Sequence, residues 1–467
     1  MSYHPKIRKI GLILFSKYVI KKRILNNICI GIKTKRGDIV QYKKFEQKGY
    51  NLHVIETNRF KNIEIRFNFK RPIKKREITI RNVLNDILIN TSKKYPTIRD
   101  IEMKAEELYS FGASSNCYKS GNYSIISISC NFLNEKYTEE GMLEESIQFF
   151  LDLILNSNVE NDAFAQKPFD YTKESLQNDI DSIKDDPRGY SIVRLREEMC
   201  PNSPISYRSF GYTEDLEQIT SENLYTYYKD VLQNDAIDIF VLGDVDSIDI
   251  KNLFEKYIQV DRKQPKFKID HCISIDHIRD SIKKVEETEA INQSKLSIGV
   301  RVYDMDEYEK KYTLNALSFV LGGSSDSKLF KKLREENSLC YYVSSSPSML
   351  YSDMIIVSGI DGDKYEMAVK LIKEAIEDIK NGDVKQEDVD QEISVYINSC
   401  IEMYDSPSSI ISNYLSHEYL GNDLIEEKME KIKEMTPEKI IALAKKIKID
   451  TIYLLRGGNA DEQSSSN

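Results

Sequence analysis

The sequence predicts an α+β protein of two tandem homologous domains, each a mainly antiparallel β-sheet packed with helices. Three observations support this class. First, 467 residues, of which 40% are apolar, suffice for two domains with separate cores. Second, stretches that alternate between apolar and polar residues, as half-buried strands do, are followed by longer stretches with helical spacing. Third, this order of strand and helix patterns occurs twice along the chain.

The first domain is predicted over residues 44–258. Residues Ile63 to Phe69 alternate between apolar and polar, within a stretch from Asn51 that is predicted to be extended. A helix is predicted around Val83 and Leu84. The spacing of Thr97 and Asp100 resembles a capping box at the start of a second helix. The remaining predicted elements are a strand at Ser124–Phe132, mostly helices from Thr138 to Met199, and a closing strand at Ala236–Gly243.

The second domain is predicted over residues 285–458 and repeats this order. Residues Leu296 to Val302 alternate as Ile63 to Phe69 do. When the two stretches are laid over one another without gaps, Asn82 falls opposite Asn315. We interpret this pattern as an ancient duplication. The other predicted elements are strands at Tyr341–Ser346, Met354–Ile360 and Thr451–Leu455, with long helices between Asp363 and Ile447.

Three stretches are predicted to lie outside the two domains. Residues 1–43 are an N-terminal extension or contribute first strands. Residues 259–284 are rich in Lys, Asp and Gln, carry Pro265, and are predicted to form the interdomain linker. Residues 459–467 are polar and serine-rich, which is typical of a disordered tail.

Composition and charge exclude several classes of protein. The chain has 66 basic and 75 acidic residues, a net charge of −9, so we expect no nucleic acid as a partner. No stretch approaches the roughly 18 apolar residues of a membrane-spanning helix, so we expect no membrane association. The apolar run Ile10–Phe15 lacks the cleavage site of a signal peptide. Seven scattered cysteines without a CxxC pair predict a reduced, cytoplasmic protein.

Two motifs carry a resemblance to a known family. The stretch Leu321–Val343 combines a Gly-Gly turn with Leu-Phe, Leu-Arg-Glu and Leu-x-Tyr elements, and Asn202–Asp244 contains Gly-Tyr-Thr-Glu-Asp-Leu and a final Gly-Asp. Both are similar in content and spacing to motifs of the pitrilysin/insulinase family of zinc peptidases, called M16. The resemblance extends from about residue 44 to residue 456, and it implies tandem α+β domains.

Active M16 peptidases hold zinc with an HxxEH helix and a second glutamate further along the chain. The i, i+4 spacing places two imidazoles on one face of the helix, and the motif glutamate acts as general base toward the metal-bound water. At the matching positions this chain has Asn82, Asn85 and Asp86, and Thr172 stands where the distal glutamate is expected. The resemblance therefore implies that this chain binds no metal or other cofactor, and that zinc is bound by a partner.

The five histidines offer one other candidate metal site. His271, Cys272 and His277 are close in sequence, but they lie in the predicted linker, where a solvated segment explains them without a metal. His417, beside Glu418 on a late helix, is interpreted as a surface or packing residue. A peptidase whose ligands have moved to His271, Cys272 and His277 is left open.

The resemblance implies a role in substrate binding for Arg334 and Tyr341. In active M16 enzymes an arginine and a tyrosine at these motif positions reach across to the zinc site, hydrogen-bond the scissile carbonyl and stabilise the oxyanion. Donors of this kind contribute roughly 2.7–4 kcal/mol each as charge develops on the oxygen. The residues alone also permit plainer roles. Arg334 could pair with Glu335 or Glu336, and Tyr341 could be a core aromatic.

A chain with this arginine and tyrosine but without the zinc motif is similar to the non-catalytic half of a two-subunit M16 peptidase. The resemblance implies an HxxEH-bearing partner with zinc, and an extended peptide substrate that adds as a strand to a sheet edge. Among bacterial pairs, this arrangement, including the stretch Lys93–Thr97 after the degenerate helix, most resembles the Firmicute subfamily labelled as associated with modification of translation elongation factor P. The alternative is a peptide-binding or structural M16 relative with no proteolytic role.

Overall fold

The computed structural model describes residues 22–24, 27–33, 39–259, 262–267 and 279–458. Helices in these residues pack against two large β-sheets. The strands are β1 (Lys22–Ile24), β2 (Asn27–Lys33), β3 (Ile39–Glu46), β4 (Asn51–Glu56), β5 (Asn62–Pro72), β6 (Gly112–Ser120), β7 (Tyr123–Leu133), β8 (Val159–Glu160), β9 (Ala163–Phe164), β10 (Ala236–Gly243), β11 (Lys283–Glu289), β12 (Ser294–Val302), β13 (Cys340–Ser348), β14 (Asp353–Ile360) and β15 (Ile447–Gly457). The α-helices are α1 (Ile78–Asn90), α2 (Ile98–Glu107), α3 (Met142–Leu155), α4 (Gln166–Asp181), α5 (Pro187–Met199), α6 (Thr213–Glu217), α7 (Ser221–Asn234), α8 (Ser247–Tyr257), α9 (Leu314–Ser318), α10 (Tyr365–Lys380), α11 (Gln386–Glu402), α12 (Pro407–Leu420), α13 (Ile425–Lys431) and α14 (Pro437–Ala444), with π-helical segments at Glu309–Thr313, Phe319–Gly323 and Phe330–Glu336.

The two sheets share one strand order. The first sheet runs β1-β2-β3-β4-β10-β5-β7-β6 and the second β11-β15-β12-β14-β13, so the last five strands of the first match the second strand for strand. Each sheet is antiparallel except for one parallel pair, β4 with β10 and β11 with β15, at matching places. The mainly antiparallel α+β class is confirmed, and the repeated order supports the predicted duplication.

Several local predictions meet the structure directly. The stretch from Asn51 to Phe69, predicted to be extended, forms the strand β4 and most of the strand β5. These two strands lie on opposite sides of β10. The capping box of Thr97 and Asp100 is present at the start of α2. Strand β3 crosses the proposed boundary at residues 43 and 44, and β11 begins inside the proposed linker. The domain boundaries themselves stay predictions.

In the described part of the chain, no helix is long and apolar enough to cross a bilayer.

Each sheet has its own core on one face. The alternating residues of β5 and β12 are completely or almost completely buried, as the period of two predicts. They pack against α1, α3 and α7 in the first half and against α10 and α14 in the second. The two central strands thus carry the alternation that the sequence shows.

The second face of each sheet is covered by a helix from the other half. Helix α5 packs on β12 and β15 of the second sheet, with Leu195 buried against Tyr453 and Val357. Helix α12 packs on β10 of the first sheet, where the ring of Tyr414 stacks on that of Tyr42 with centroids 4.7 Å apart. This exchange joins the two halves through two apolar cores, which a reading of each half alone does not predict.

Gly299 on β12 allows α5 to approach the second sheet closely. A Cβ at this position would lie 2.5 Å from the Met199 sulfur. We therefore expect Gly299→Ala to lower the free energy of unfolding by about 1 kcal/mol, near the low end for overpacking because methionine is adaptable. Urea unfolding measures the change. In a Met199→Ala background the same substitution should have almost no effect, and an equal loss in both backgrounds would contradict the close contact.

Candidate functional site

Arg334 lies on the π-helical segment Phe330–Glu336 with its side chain exposed. Its guanidinium carbon is 4.9 Å from the centroid of the Phe330 ring. No carboxylate of the described residues, including those of Glu335 and Glu336, forms an ion pair with it. Isolated π-helical turns are frequent at functional sites. Arg334 is therefore held in place by an aromatic contact while its donors stay available.

The chain reverses directly after this segment. The amide of Ser338 donates to the carbonyl of Arg334 at 3.2 Å, and the amide of Leu339 donates to the carbonyl of Leu333 at 2.8 Å. Ser338 has a φ of 50°, the left-handed conformation that often ends a helix. Burial raises the pKa of the Cys340 thiol, and the nearby charge of Arg334 opposes that rise. The turn thus brings Arg334 close to the residue that precedes Tyr341.

Tyr341 lies in a β-bulge on the edge strand β13. Cys340 is opposite Ile360 and Tyr342 is opposite Gly359, so Tyr341 is the extra residue between them. Bulges redirect side chains and are common beside active sites. The Tyr341 side chain is 77% exposed, which excludes the plainer role of a core aromatic.

The first position of the degenerate zinc motif is used for packing. Asn82 on α1 is 5% exposed, and its amide nitrogen donates to the carbonyls of Ile78 and Ser209, each at 2.9 Å. The second contact ties α1 to the loop before α6. A buried amide with these partners satisfies its own donors and stabilises the loop.

The other two motif positions contact the edge strand β6. The amide nitrogen of Asn85 donates to Asp86 Oδ1 at 2.8 Å and to Ser115 Oγ at 3.0 Å. Burial raises the pKa of the Asp86 carboxyl, and the negative charge of Asp179 raises it further. Two carboxamides and one carboxylate do not match the imidazole and carboxylate set that zinc prefers, so α1 does not fit this metal.

Helix α4 carries the region expected to contain the distal glutamate. Thr172 is 1% exposed, and its hydroxyl has no hydrogen-bond partner among the described residues. Asp179, two helical turns later, is the α4 residue whose charge acts on Asp86. Asp179 is not among the residues named from the sequence, although its spacing of seven residues from Thr172 places both on the same face of the helix.

The potential metal ligands among the described residues are dispersed. In the described ranges, no group of three or more His, Cys, Asp or Glu residues is arranged to hold a metal ion. His53 is buried with its Nδ1 2.7 Å from the Tyr42 hydroxyl, and His417 Nδ1 is 2.7 Å from the carbonyl oxygen of Asn422. The alternative ligands lie outside the described residues: His271, Cys272 and His277.

Strand β6 forms the outer edge of the first sheet and lies beside α1. One end of it is anchored by Lys119, whose ammonium donates to the carbonyls of Pro204, Ile205 and Tyr207. Burial and the charge of Arg196 lower the pKa of Lys119 to about 8. No strand of the described residues pairs with the outer side of β6, which lies next to the degenerate zinc positions.

Together, the fold and the site define a metallopeptidase-like α+β protein without the HxxEH zinc motif. Comparison with known proteins agrees with this class. Residues 218–396 match the family model described as the Peptidase M16 inactive domain. The chain is 31% identical over 423 residues to the probable inactive metalloprotease YmfF of Bacillus subtilis (strain 168), covering 89% of this chain and 97% of that protein.

One further relative and one solved structure are also similar to this chain. The uncharacterized zinc protease YmxG of Bacillus subtilis (strain 168) is 23% identical over 381 residues, covering 79% of this chain and 91% of that protein. The crystal structure of a conserved protein from Enterococcus faecalis V583 superposes with a TM-score of 0.83 at 28% identity, covering 89% of this chain and 99% of that one. The chain belongs to the M16 peptidase family, and it is an inactive metalloprotease homologue.

Proposed function

We propose that this chain is the non-catalytic subunit of a heterodimeric M16-type zinc peptidase. The proposal rests on two side chains, Arg334 on the π-helical segment and Tyr341 just after the chain reversal that follows it. Arg334 is exposed and forms no ion pair with the described residues, and Tyr341 is turned outward by a bulge. Two polar donors kept available in this way support a role toward a bound ligand.

The two residues would act on the peptide carbonyl. Zinc, held by the HxxEH motif of the partner, would supply the activated water and a Lewis acid. In this chain, the guanidinium of Arg334 and the hydroxyl of Tyr341 would donate hydrogen bonds to the carbonyl oxygen as negative charge develops on it. Donors positioned before the reaction stabilise that charge without reorganising.

The peptide is proposed to bind in an extended conformation along a sheet edge. The outer edge of β6 supports this, because no strand of the described residues pairs with it and it can add one strand through backbone hydrogen bonds. Backbone pairing is independent of sequence, so side-chain contacts would have to provide selectivity. The same edge also supports the second candidate, a peptide-binding relative without proteolytic function.

The proposal includes a cytoplasmic location. It is supported by seven cysteines without a CxxC pair in the sequence. Those in the described part with described side chains are free thiols. Free thiols persist in a reducing compartment.

Affinity purification of the tagged chain from its native cells tests the proposed function. We expect an HxxEH-bearing chain in equal amount, about one zinc per pair, and no zinc on this chain when it is purified alone. Peptide cleavage should require both chains. A zinc-free chain that recovers no such partner would contradict the proposal and favour the peptide-binding role, whereas zinc on the isolated chain would favour relocated ligands.

A further inference from the structure

A cavity of about 440 Å³ lies where the beginning of α5 meets the second sheet. Its walls come from the first residues of α5, from the turn before β12, and from β13. Tyr342, which lines the cavity, directly follows Tyr341 on the edge strand. The cavity therefore adjoins Tyr341, one of the two proposed substrate-binding residues.

Two cations approach the same aromatic ring in this cavity. The guanidinium carbon of Arg188 is 4.9 Å and the Nζ of Lys295 is 5.8 Å from the centroid of the Tyr342 ring. Arg188 also donates to Ser344 Oγ at 3.3 Å, and Lys295 donates to Gln293 Oε1 at 3.0 Å. Neither cation forms an ion pair with a carboxylate of the described residues. Their remaining donors are free to bind an anion.

The charge balance of the cavity is positive. Burial lowers the pKa of Lys295, and the charge of Arg188 lowers it further, whereas Asp186 opposes both. Asp186 already has a structural role, since its Oδ1 accepts from the backbone nitrogen of Arg188 at 3.1 Å and caps α5. The positive end of the α5 dipole adds to the two cations. An anion in the cavity would relieve their repulsion.

The donors of the two cations suit one kind of anion. Guanidinium and ammonium groups around one space match the acceptor oxygens of a carboxylate.

We propose that this cavity binds a carboxylate of the substrate peptide, either an acidic side chain or the C-terminal carboxylate. This inference rests on the proposed function, because the cavity matters to a substrate only if the peptide passes Tyr341. An extended peptide advances roughly 3.3 Å per residue, so one held at Tyr341 reaches the cavity within a few residues. The cavity would then provide selectivity that backbone pairing along β6 does not.

Fluorescence polarisation with three labelled peptide libraries tests the inference. Each library has ten residues, randomised among uncharged types: one has a fixed Glu and an amidated C-terminus, one a Gln and a free C-terminus, and one a Gln and an amidated C-terminus. The protein is the full chain with its partner, whose motif glutamate is replaced by glutamine to prevent cleavage. We expect one of the two carboxylate libraries to bind about tenfold more tightly than the neutral library.

Variants of the cavity residues sharpen the test. Arg188→Gln and Lys295→Gln should each remove most of the tenfold preference. Arg99→Gln, an exposed arginine on α2, is the matched control and should leave the preference unchanged. The preferred library identifies the source of the carboxylate.

The possible failures are distinguishable. Equal binding of all three libraries would overturn the carboxylate site and leave the proposed function standing. If no library binds, both ideas fail. A preference that survives Arg188→Gln and Lys295→Gln would place the carboxylate elsewhere and overturn the inference.

Discussion

Replacing Arg334 with alanine is expected to lower kcat of the two-subunit peptidase about 10²- to 10³-fold, the range for the loss of one oxyanion donor. The substitution should leave the fold unchanged, because the side chain is exposed and forms no ion pair with the described residues. Steady-state cleavage of a peptide by the purified complex measures kcat, and thermal unfolding of the isolated chain measures stability. Since the donor acts mainly in the transition state, KM should change little.

Lys331→Ala is the matched control for Arg334. This lysine is exposed on the same π-helical segment, with its ammonium 4.0 Å from Asp326, so its removal tests for a general effect of charge. It should leave kcat within about twofold of the unchanged complex, as expected for a weak surface ion pair. If the Arg334→Ala chain associates with its partner and the complex cleaves peptide at the wild-type rate, the oxyanion role is excluded.

The residues of this site could be named from the sequence, but their geometry could not. The spacing of the Leu321–Val343 motif singled out Arg334 and Tyr341. The bulge that exposes Tyr341 depends on the register of β13 against β14, and a shift by one residue reverses the face of every side chain. Register follows from tertiary pairing and is not visible in the motif.

The central strands of the fold could also be predicted from the sequence, but the packing between the two halves could not. Period-two alternation identified the central strands β5 and β12, because their side chains fill the core of their own half. The helices α5 and α12 pack on the sheet of the opposite half, and the sequence of a helix does not say which sheet will cover it. The cavity at Arg188 and Lys295 arises from that exchange. It joins residues far apart in the chain and has no local pattern.

A buried ion cluster fixes α1 against the first sheet. Asp235, which is completely buried before β10, accepts from Arg81 on α1 at 2.9 Å and also from Arg71 on β5. Arg81 is 1% exposed and donates in addition to the carbonyl of Phe69 at 3.1 Å. Removing one partner of a buried pair leaves the other charge uncompensated, which is far less favourable than replacing the whole cluster with apolar residues.

We therefore expect Asp235→Ala to lower the free energy of unfolding by about 3–5 kcal/mol, since the buried guanidinium of Arg81 loses its carboxylate. Arg71 keeps its ion pairs with Glu77 and Asp230. The measurement is urea unfolding, compared at an unchanged m value. Glu255→Ala, which removes the exposed pair with Lys251 on α8, is the control and should change stability by less than about 1 kcal/mol. The double variant Arg81→Met, Asp235→Leu should recover part of the loss. If Asp235→Ala costs no more than the control, then Asp235 does not anchor α1, and the helix is held by its other contacts.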